Sequence, residues 1–221
     1  MSENQPLSKV KKTNTTVYHL VRSLIVNPVF HLYFRGTVTG REKIPHQGKL
    51  IIVSNHASVF DPPLLSAAIN RPVAYMAKEE LFLVNGLSQL ITVLGAYPVN
   101  RESVDRKAIR QAISRIEEGW ATGIFIEGTR TIDGKIHDPK LGAALIAAKA
   151  QAPLLPVCLC GTEKINVSGK KIPQFVKIKI KIGDLIEPPT SGKKEQLELV
   201  TRQCAENINN LHESMLLRNE K

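Results

Sequence analysis

Between Leu50 and Cys160, short apolar runs alternate with stretches of helical periodicity. That alternation limits the fold more than any other feature. A short buried run followed by an amphipathic stretch reads as a strand and its covering helix, and repetition of the unit builds a largely parallel sheet. Residues 50–54, 71–77, 95–99, 123–127 and 153–160 read as strands, and 62–69, 86–94, 103–120 and 141–150 as helices. In the longest of these helices, Ile109, Ala112, Ile113 and Ile116 recur at helical spacing. The run FVKIKIKI, residues 175–182, alternates strictly, with Val176, Ile178, Ile180 and Ile182 on one face and Lys177, Lys179 and Lys181 on the other. It predicts a half-buried strand near a sheet edge, where lysines discourage pairing with another sheet. A last helix over about 193–216 carries Leu197, Val200, Cys204, Ile208, Leu211 and Met215 on one stripe. With 221 residues, one core is large enough for the whole chain. The predicted fold class is α/β: a single domain with a mixed, mostly parallel sheet flanked by helices, preceded by an amphipathic N-terminal helical segment. Residues 1–36 form a basic tail and interfacial segment, and 37–221 the domain.

Charge narrows the partners. The formal net charge is +10, which favours anionic partners: nucleic acid, an anionic membrane surface or phosphorylated substrates. Residues 1–50 hold eight Lys and Arg against two Glu, a net of +6. The same region contains SLIVNPVFHLYF, residues 23–34, which is uncharged at neutral His. As a helix it rises ~18 Å, short of a ~30 Å hydrocarbon core. Arg22, Asn27 and Pro28 also oppose a spanning helix. Two readings stay open for this segment: it lies in an anionic membrane interface, or it packs on the protein's own core. Aromatic residues amount to 5% and are not interleaved with the basic runs, so nucleic-acid stacking is not supported. No secretory signal is visible. Three cysteines, Cys158, Cys160 and Cys204, give no disulfide framework and fit a reducing compartment. Cys158 and Cys160 share one face of a strand and have no further metal ligands nearby, so they read as buried thiols.

The chemistry-bearing stretch is NHASVFDPP, residues 55–63. Asp61 before two prolines has a structural explanation as a helix start whose carboxylate caps free N–H groups. His56 has one as a hydrogen-bonded residue at a strand end. Together they meet a chemical need. A histidine that takes a proton must present one neutral ring nitrogen, and a carboxylate on the other nitrogen fixes the tautomer and stabilises the imidazolium. No Gly-x-Ser-x-Gly elbow is present and the thiols lie in core segments, so the nucleophile is the substrate's own hydroxyl.

Two further stretches follow strands. FIEGTRTIDGKIHDPK, residues 125–140, is a polar, glycine-containing loop too long to be a simple connection. Within it, Gly128 permits a tight turn and Arg130 offers a two-pronged grip on phosphate or carboxylate. GAYPVNR, residues 95–101, places Arg101 just beyond another strand. Arginines at the ends of neighbouring strands of an α/β sheet point to an anion site on that edge.

The four blocks NHASVFD, FIEGTR, GAYPVNR and APLLPV resemble, in order, motifs of the glycerolipid acyltransferases, and AKEELF and KLG are similar to further family segments. The resemblance runs from about residue 35 to 160. It implies that family's fold and the transfer of a fatty acyl group from an acyl carrier protein or coenzyme A thioester to the free hydroxyl of 1-acyl-glycerol 3-phosphate, making phosphatidic acid. His56 is then the general base and Asp61 its orienting partner. Arg101, Arg130 and Lys78, with the Glu127–Gly128 turn, hold the acceptor's phosphate. No metal, no cofactor and no covalent acyl-enzyme is implied. The implied location is the cytoplasmic side of a membrane, with peripheral attachment. Alternatives are the same chemistry on glycerol 3-phosphate or another lysophospholipid, a thioester hydrolase, and a non-catalytic membrane-binding protein. Two departures stand out: Ile126 where the family block has proline, expected to loosen the turn slightly, and Pro98 where many members have phenylalanine.

Overall fold

The computed structural model describes residues 15–99, 106–165 and 173–217. Seven strands form one sheet: β1 (Thr37–Thr39), β2 (Ile51–Ser54), β3 (Val73–Lys78), β4 (Ala96–Val99), β5 (Ala121–Phe125), β6 (Leu154–Cys160) and β7 (Lys179–Ile182). Their order is β1-β7-β6-β2-β5-β3-β4, with every pairing parallel except β6 with β7. β2 to β6 therefore end on one common edge. The central strands β2 and β6 are buried along their whole length, as expected where helices cover both faces.

The helices are α1 (Thr15–Val21), α2 (Asp61–Ala68), α3 (Leu87–Val93), α4 (Arg106–Glu117), α5 (Gly142–Ala150) and α6 (Lys194–Leu216). Ala112 and Ile116 of α4, the alanines of α5 and the Leu197, Val200, Cys204, Ile208 stripe of α6 bury against one face with Ile51 and Val53. Leu64, Leu65, Ala67 and Ala68 of α2 bury against the other with Leu50, Ile52 and Ile180. The chain leaves β2 through α2 towards β3 on one face, and leaves β5 through α5 towards β6 on the opposite face. Neighbouring strands whose connections part to opposite faces open a crevice at their carboxyl ends, where ligands of such sheets bind.

The N-terminal segment packs on the protein's own core along one side and exposes apolar side chains on the other. Tyr18, Val26, Phe30 and Phe34 are buried in the core, while Leu20, Leu24, Ile25 and Leu32 are exposed on its outer side, Leu32 by 77%. It spans the sheet from end to end. Val73 N–H, at the start of β3, donates to the Tyr18 hydroxyl at 3.3 Å, and Phe34 packs against Phe60 beside the start of α2. Its helix widens into two π-turns, Arg22–Val26 and Val29–Tyr33, flanking Pro28. Proline has no N–H and its ring crowds the carbonyl four residues back, which a wider turn relieves. Among the described residues no helix is long and apolar enough to cross a membrane.

Four local expectations change. β1 has no counterpart in the sequence reading. The lysine-ridged strand is shorter than 175–182: Ile178 exchanges bonds with Phe34 and Thr37 instead of extending β7. β7 lies one strand inside the edge, covered by three-residue β1, so a short edge strand rather than the lysines closes that side. Lys181 Nζ instead donates to Ser214 Oγ of α6 at 2.8 Å. The strand read over 123–127 begins and ends two residues earlier.

The three cysteines are free and buried, and burial pushes the Cys204 thiol up to about 12. Pro98 sits on β4, the other edge strand, where a missing N–H breaks no interior ladder.

Gly123 occupies the middle of β5 because the Tyr75 ring lies over it; an added Cβ would stand 2.3 Å from that ring. Gly123→Ala is expected to cost about 1–3 kcal/mol through overpacking. Thermal unfolding should show a drop of roughly 2–4 °C per kcal/mol for a chain of this size; an unchanged midpoint would mean that Tyr75 repacks freely.

Candidate active site

β2 stops at Ser54, yet its neighbour β6 continues. The side chain of Asn55 bridges the gap. Leu159 N–H donates to Asn55 Oδ1 at 2.8 Å, and Asn55 Nδ2 donates to Leu159 O at 2.8 Å and to Gly134 O at 2.7 Å. A side-chain amide has the same donor and acceptor as a peptide. Asn55 therefore satisfies β6 with its side chain while its backbone turns out of the sheet and carries His56 to the edge.

His56 is received by three partners. Its Nδ1 pairs with Asp61 Oδ2 at 2.7 Å. Its carbonyl accepts from Thr131 N–H at 2.8 Å and Thr131 Oγ1 at 3.2 Å. Its ring stacks on Phe125, centroids 4.1 Å apart. Because the carboxylate accepts at Nδ1, the proton resides there and Nε2 keeps its lone pair.

Asp61 is fully buried and does not act as the helix cap expected from sequence. Its Oδ2 turns back to accept Ala57 N–H at 2.6 Å and Ser58 N–H at 2.8 Å as well as His56. Phe60 occupies the cap position and makes no side-chain capping bond. The reason lies in Pro62 and Pro63, which leave the first turn two N–H groups short; the richer set of donors lies behind Asp61. One oxygen holding three donors fixes the carboxylate in place.

The loop 128–140 is tied down along its length. Lys140 N–H donates to Ile126 O at 2.8 Å. Asn209 of α6 pairs with both backbone groups of Ile136, at 3.0 and 2.9 Å, the same amide-for-peptide device as Asn55. Glu127 is buried, and its Oε1 accepts His137 N–H and Asp138 N–H, each at 2.9 Å. Its carboxylate thus faces the loop's backbone. Gly128 takes φ +71°, with open space where a Cβ would stand, so the conformation and not crowding selects glycine there. Ile126 does not loosen the turn: its N–H donates to Ser54 O at 3.0 Å, a bond proline cannot make, and its side chain is buried.

Arg130 is exposed and makes no hydrogen bond or ion pair with the other described residues. It immediately precedes Thr131, which grips the His56 carbonyl, so Arg130 is on the same edge as His56. Lys78 is exposed at the end of β3 on that edge. Arg101 lies outside the described residues. Asn55, Thr131, Phe125 and Asn209 carry no role in the sequence reading. An asparagine directly after an apolar strand was the one local signal; the others depend on tertiary contacts. Among the described residues, no three His, Cys, Asp or Glu side chains converge as a metal site.

The Acyltransferase family model matches residues 35–160. The chain is 30% identical over 190 residues to the 1-acyl-sn-glycerol-3-phosphate acyltransferase of Bacillus subtilis (strain 168), an alignment covering 83% of this chain and 92% of that one. It is 31% identical over 169 residues to the Borreliella burgdorferi protein of the same name, covering 75% and 68%. Against the longer chloroplastic relative BAT2 of Brassica napus it is 27% identical and spans 56% of that protein's length. The crystal structure of the 1-acyl-sn-glycerophosphate (LPA) acyltransferase of Thermotoga maritima superposes with a TM-score of 0.69 at 28% identity, covering 87% of this chain and 82% of that one.

Beneath the loop, His212 of α6 is buried with neither ring nitrogen hydrogen-bonded to the described residues. Its Nε2 stands 3.4 Å from where a Cβ on Gly134 would be. Burial lowers its pKa below the usual imidazole value, with Glu163 opposing. The unfolded chain then binds this proton at a higher pH than the folded one, so stability is full above the unfolded value of ~6.5 and falls as pH drops below it. Urea unfolding between pH 7.5 and 5.5 should show that loss, and His212→Gln should flatten it; an identical slope in the variant would remove His212 as the cause.

Proposed function

This chain belongs to the acyltransferase family, and we infer that it moves a fatty acyl group from a thioester to the free hydroxyl of 1-acyl-glycerol 3-phosphate, making phosphatidic acid. The observation that carries this reading is the buried Asp61 carboxylate holding His56 Nδ1 at 2.7 Å, on the strand edge that also carries Arg130, unpaired among the described residues. Nε2 takes the proton of the acceptor's hydroxyl as its oxygen attacks the thioester carbonyl. The carbon–oxygen ester bond forms as the carbon–sulfur bond breaks, and the departing thiolate recovers the proton from the imidazolium. Asp61 keeps the ring aimed and stabilises its transient charge. His56 and Asp61 are thus the proposed base and positioning pair.

Arg130 and Lys78 supply the phosphate grip, and Arg101, which follows the β4 segment in sequence, is the third candidate for it. Glu127 and Gly128 act through the loop: one holds its backbone and the other shapes the turn that presents Arg130. A phosphate clamp favours a phosphorylated acceptor over water, which separates this reading from thioester hydrolysis. Acyl carrier protein and coenzyme A thioesters are both candidate donors. Assay of the purified chain with lysophosphatidic acid and each donor, alongside glycerol 3-phosphate as acceptor, tests the reading; acyl release without phosphatidic acid would replace it with a hydrolase.

Peripheral attachment to the cytoplasmic side of an anionic membrane is part of this reading, and the N-terminal segment supports the attachment itself. Its inner face anchors to the core, and its outer apolar stripe faces away. Arg22 is already bonded to Ser66 O at 2.8 Å and Ala67 O at 3.3 Å, so the attraction to headgroups falls to the other basic residues and the apolar stripe does the insertion.

Arg130→Ala is expected to lower kcat/KM for lysophosphatidic acid roughly ten- to hundredfold, the scale of one lost charge-assisted bond. Arg130→Lys should recover only part of it. An equal loss on an acceptor without phosphate would remove the clamp. In a separate measurement, Leu24→Gln with Leu32→Gln should leave the unfolding midpoint in place but weaken binding to phosphatidylglycerol-containing vesicles about tenfold or more, since each exposed leucine contributes on the order of 1–2 kcal/mol when buried in lipid. Unchanged vesicle binding would place the contact surface elsewhere.

A further inference from the structure

Asp61 fixes His56 through one ring nitrogen, and a single hydrogen bond leaves a ring free to tilt about that bond. A second restraint comes from the ring's face. Phe125, the last residue of β5, lies parallel to the imidazole with centroids 4.1 Å apart and planes 17° apart. Behind it Tyr75 of β3 lies parallel to Phe125, with centroids at 6.2 Å and planes at 14°. Tyr75 is buried and cannot retreat. Its hydroxyl is 3.1 Å from Ser66 Oγ of α2, and its ring rests on the bare backbone of Gly123. The three rings form a column that begins on β3, crosses β5 and ends on the residue that β2 delivers.

We propose that Phe125 is a positioning residue for proton abstraction, holding the plane of His56 and supporting the charge that ring acquires. This rests on the reading of His56 as general base. The column sets the imidazole's tilt, so that Nε2 points to one place on the strand edge. When Nε2 takes the acceptor's proton the imidazole becomes a cation lying over an aromatic face, an arrangement that the ring's electron-rich face favours. Both effects act in the chemical step and neither touches the acceptor. An apolar residue that merely filled space at the end of β5 would be replaced by leucine without kinetic consequence; a member of the column would not.

The test uses the purified 221-residue chain with lysophosphatidic acid as acceptor. Phe125→Leu keeps apolar bulk and removes the aromatic face, whereas Phe125→Tyr keeps the face. The leucine variant should fold, hold KM for the acceptor within about twofold and lose roughly three- to thirtyfold in kcat. The tyrosine variant should recover most of that loss. Should the leucine variant not fold, Phe125→Met carries the same comparison. His56→Ala is measured alongside to separate the two levels. If His56→Ala keeps parental activity, the general-base reading fails and the column's role with it. If His56→Ala is inactive while the leucine or methionine variant keeps parental kcat, or loses only in KM, or is not bettered by tyrosine, the role of Phe125 is overturned and the base stands.

Discussion

The exchange of hydrogen bonds between the Asn55 amide and the backbone of Leu159 is the constraint on which the site depends. A strand that leaves a sheet strands the peptide groups of its neighbour, and an unpaired buried peptide group costs about 1–3 kcal/mol. Asn55 removes that cost with its own side chain. Its second N–H takes Gly134 O, so the same residue that releases His56 also gathers the polar loop around it. Asp61 then completes the turn with three donors on one oxygen. The site is a strand end whose backbone bonding has been replaced by side chains on both sides of the histidine.

The parallel core was legible because its strands are short, mostly apolar and separated by helical stretches; the ends of β2, β3, β4 and β6 fall within two residues of the pattern. β1 was not legible, since three residues with alternating exposure and no apolar run carry no periodic signal. The direction of the Asp61 carboxylate was also hidden. Sequence shows aspartate at a helix start, but it does not weigh the donors ahead of it, depleted by two prolines, against those behind. The departure at Ile126 misled for a related reason: proline at a turn suggests stiffness, whereas an N–H in register with Ser54 O supplies a bond instead. The motif residues His56 and Asp61 were visible as a spacing, while Phe125 and Thr131 acquire meaning only from what the sheet sets beside them.

The family match stops at residue 160, but the loop that carries Arg130 is held from beyond it. Asn209 fixes Ile136, and His212 lies under Gly134, both from α6. The terminal helix thus has a double task. One stripe closes the core over β6, and its far end supports the loop at the strand edge. That division lets a helix whose apolar stripe lies in the core also bear on the strand edge at His56: it sets the floor on which the loop rests.

Helix α2 is gripped at both ends by polar bonds. Its first residue, Asp61, is tied to His56 and the turn before it, and its last carbonyls, Ser66 O and Ala67 O, accept from Arg22 of the N-terminal segment. Eight residues of helix rise about 12 Å, a stiff strut at this scale. Phe34 against Phe60 joins the same two pieces again at the upper end. The outer segment and the histidine therefore share one frame, like a keel and the mast stepped into it. Whatever surface the segment lies on also sets the height and heading of the His56 ring above that surface.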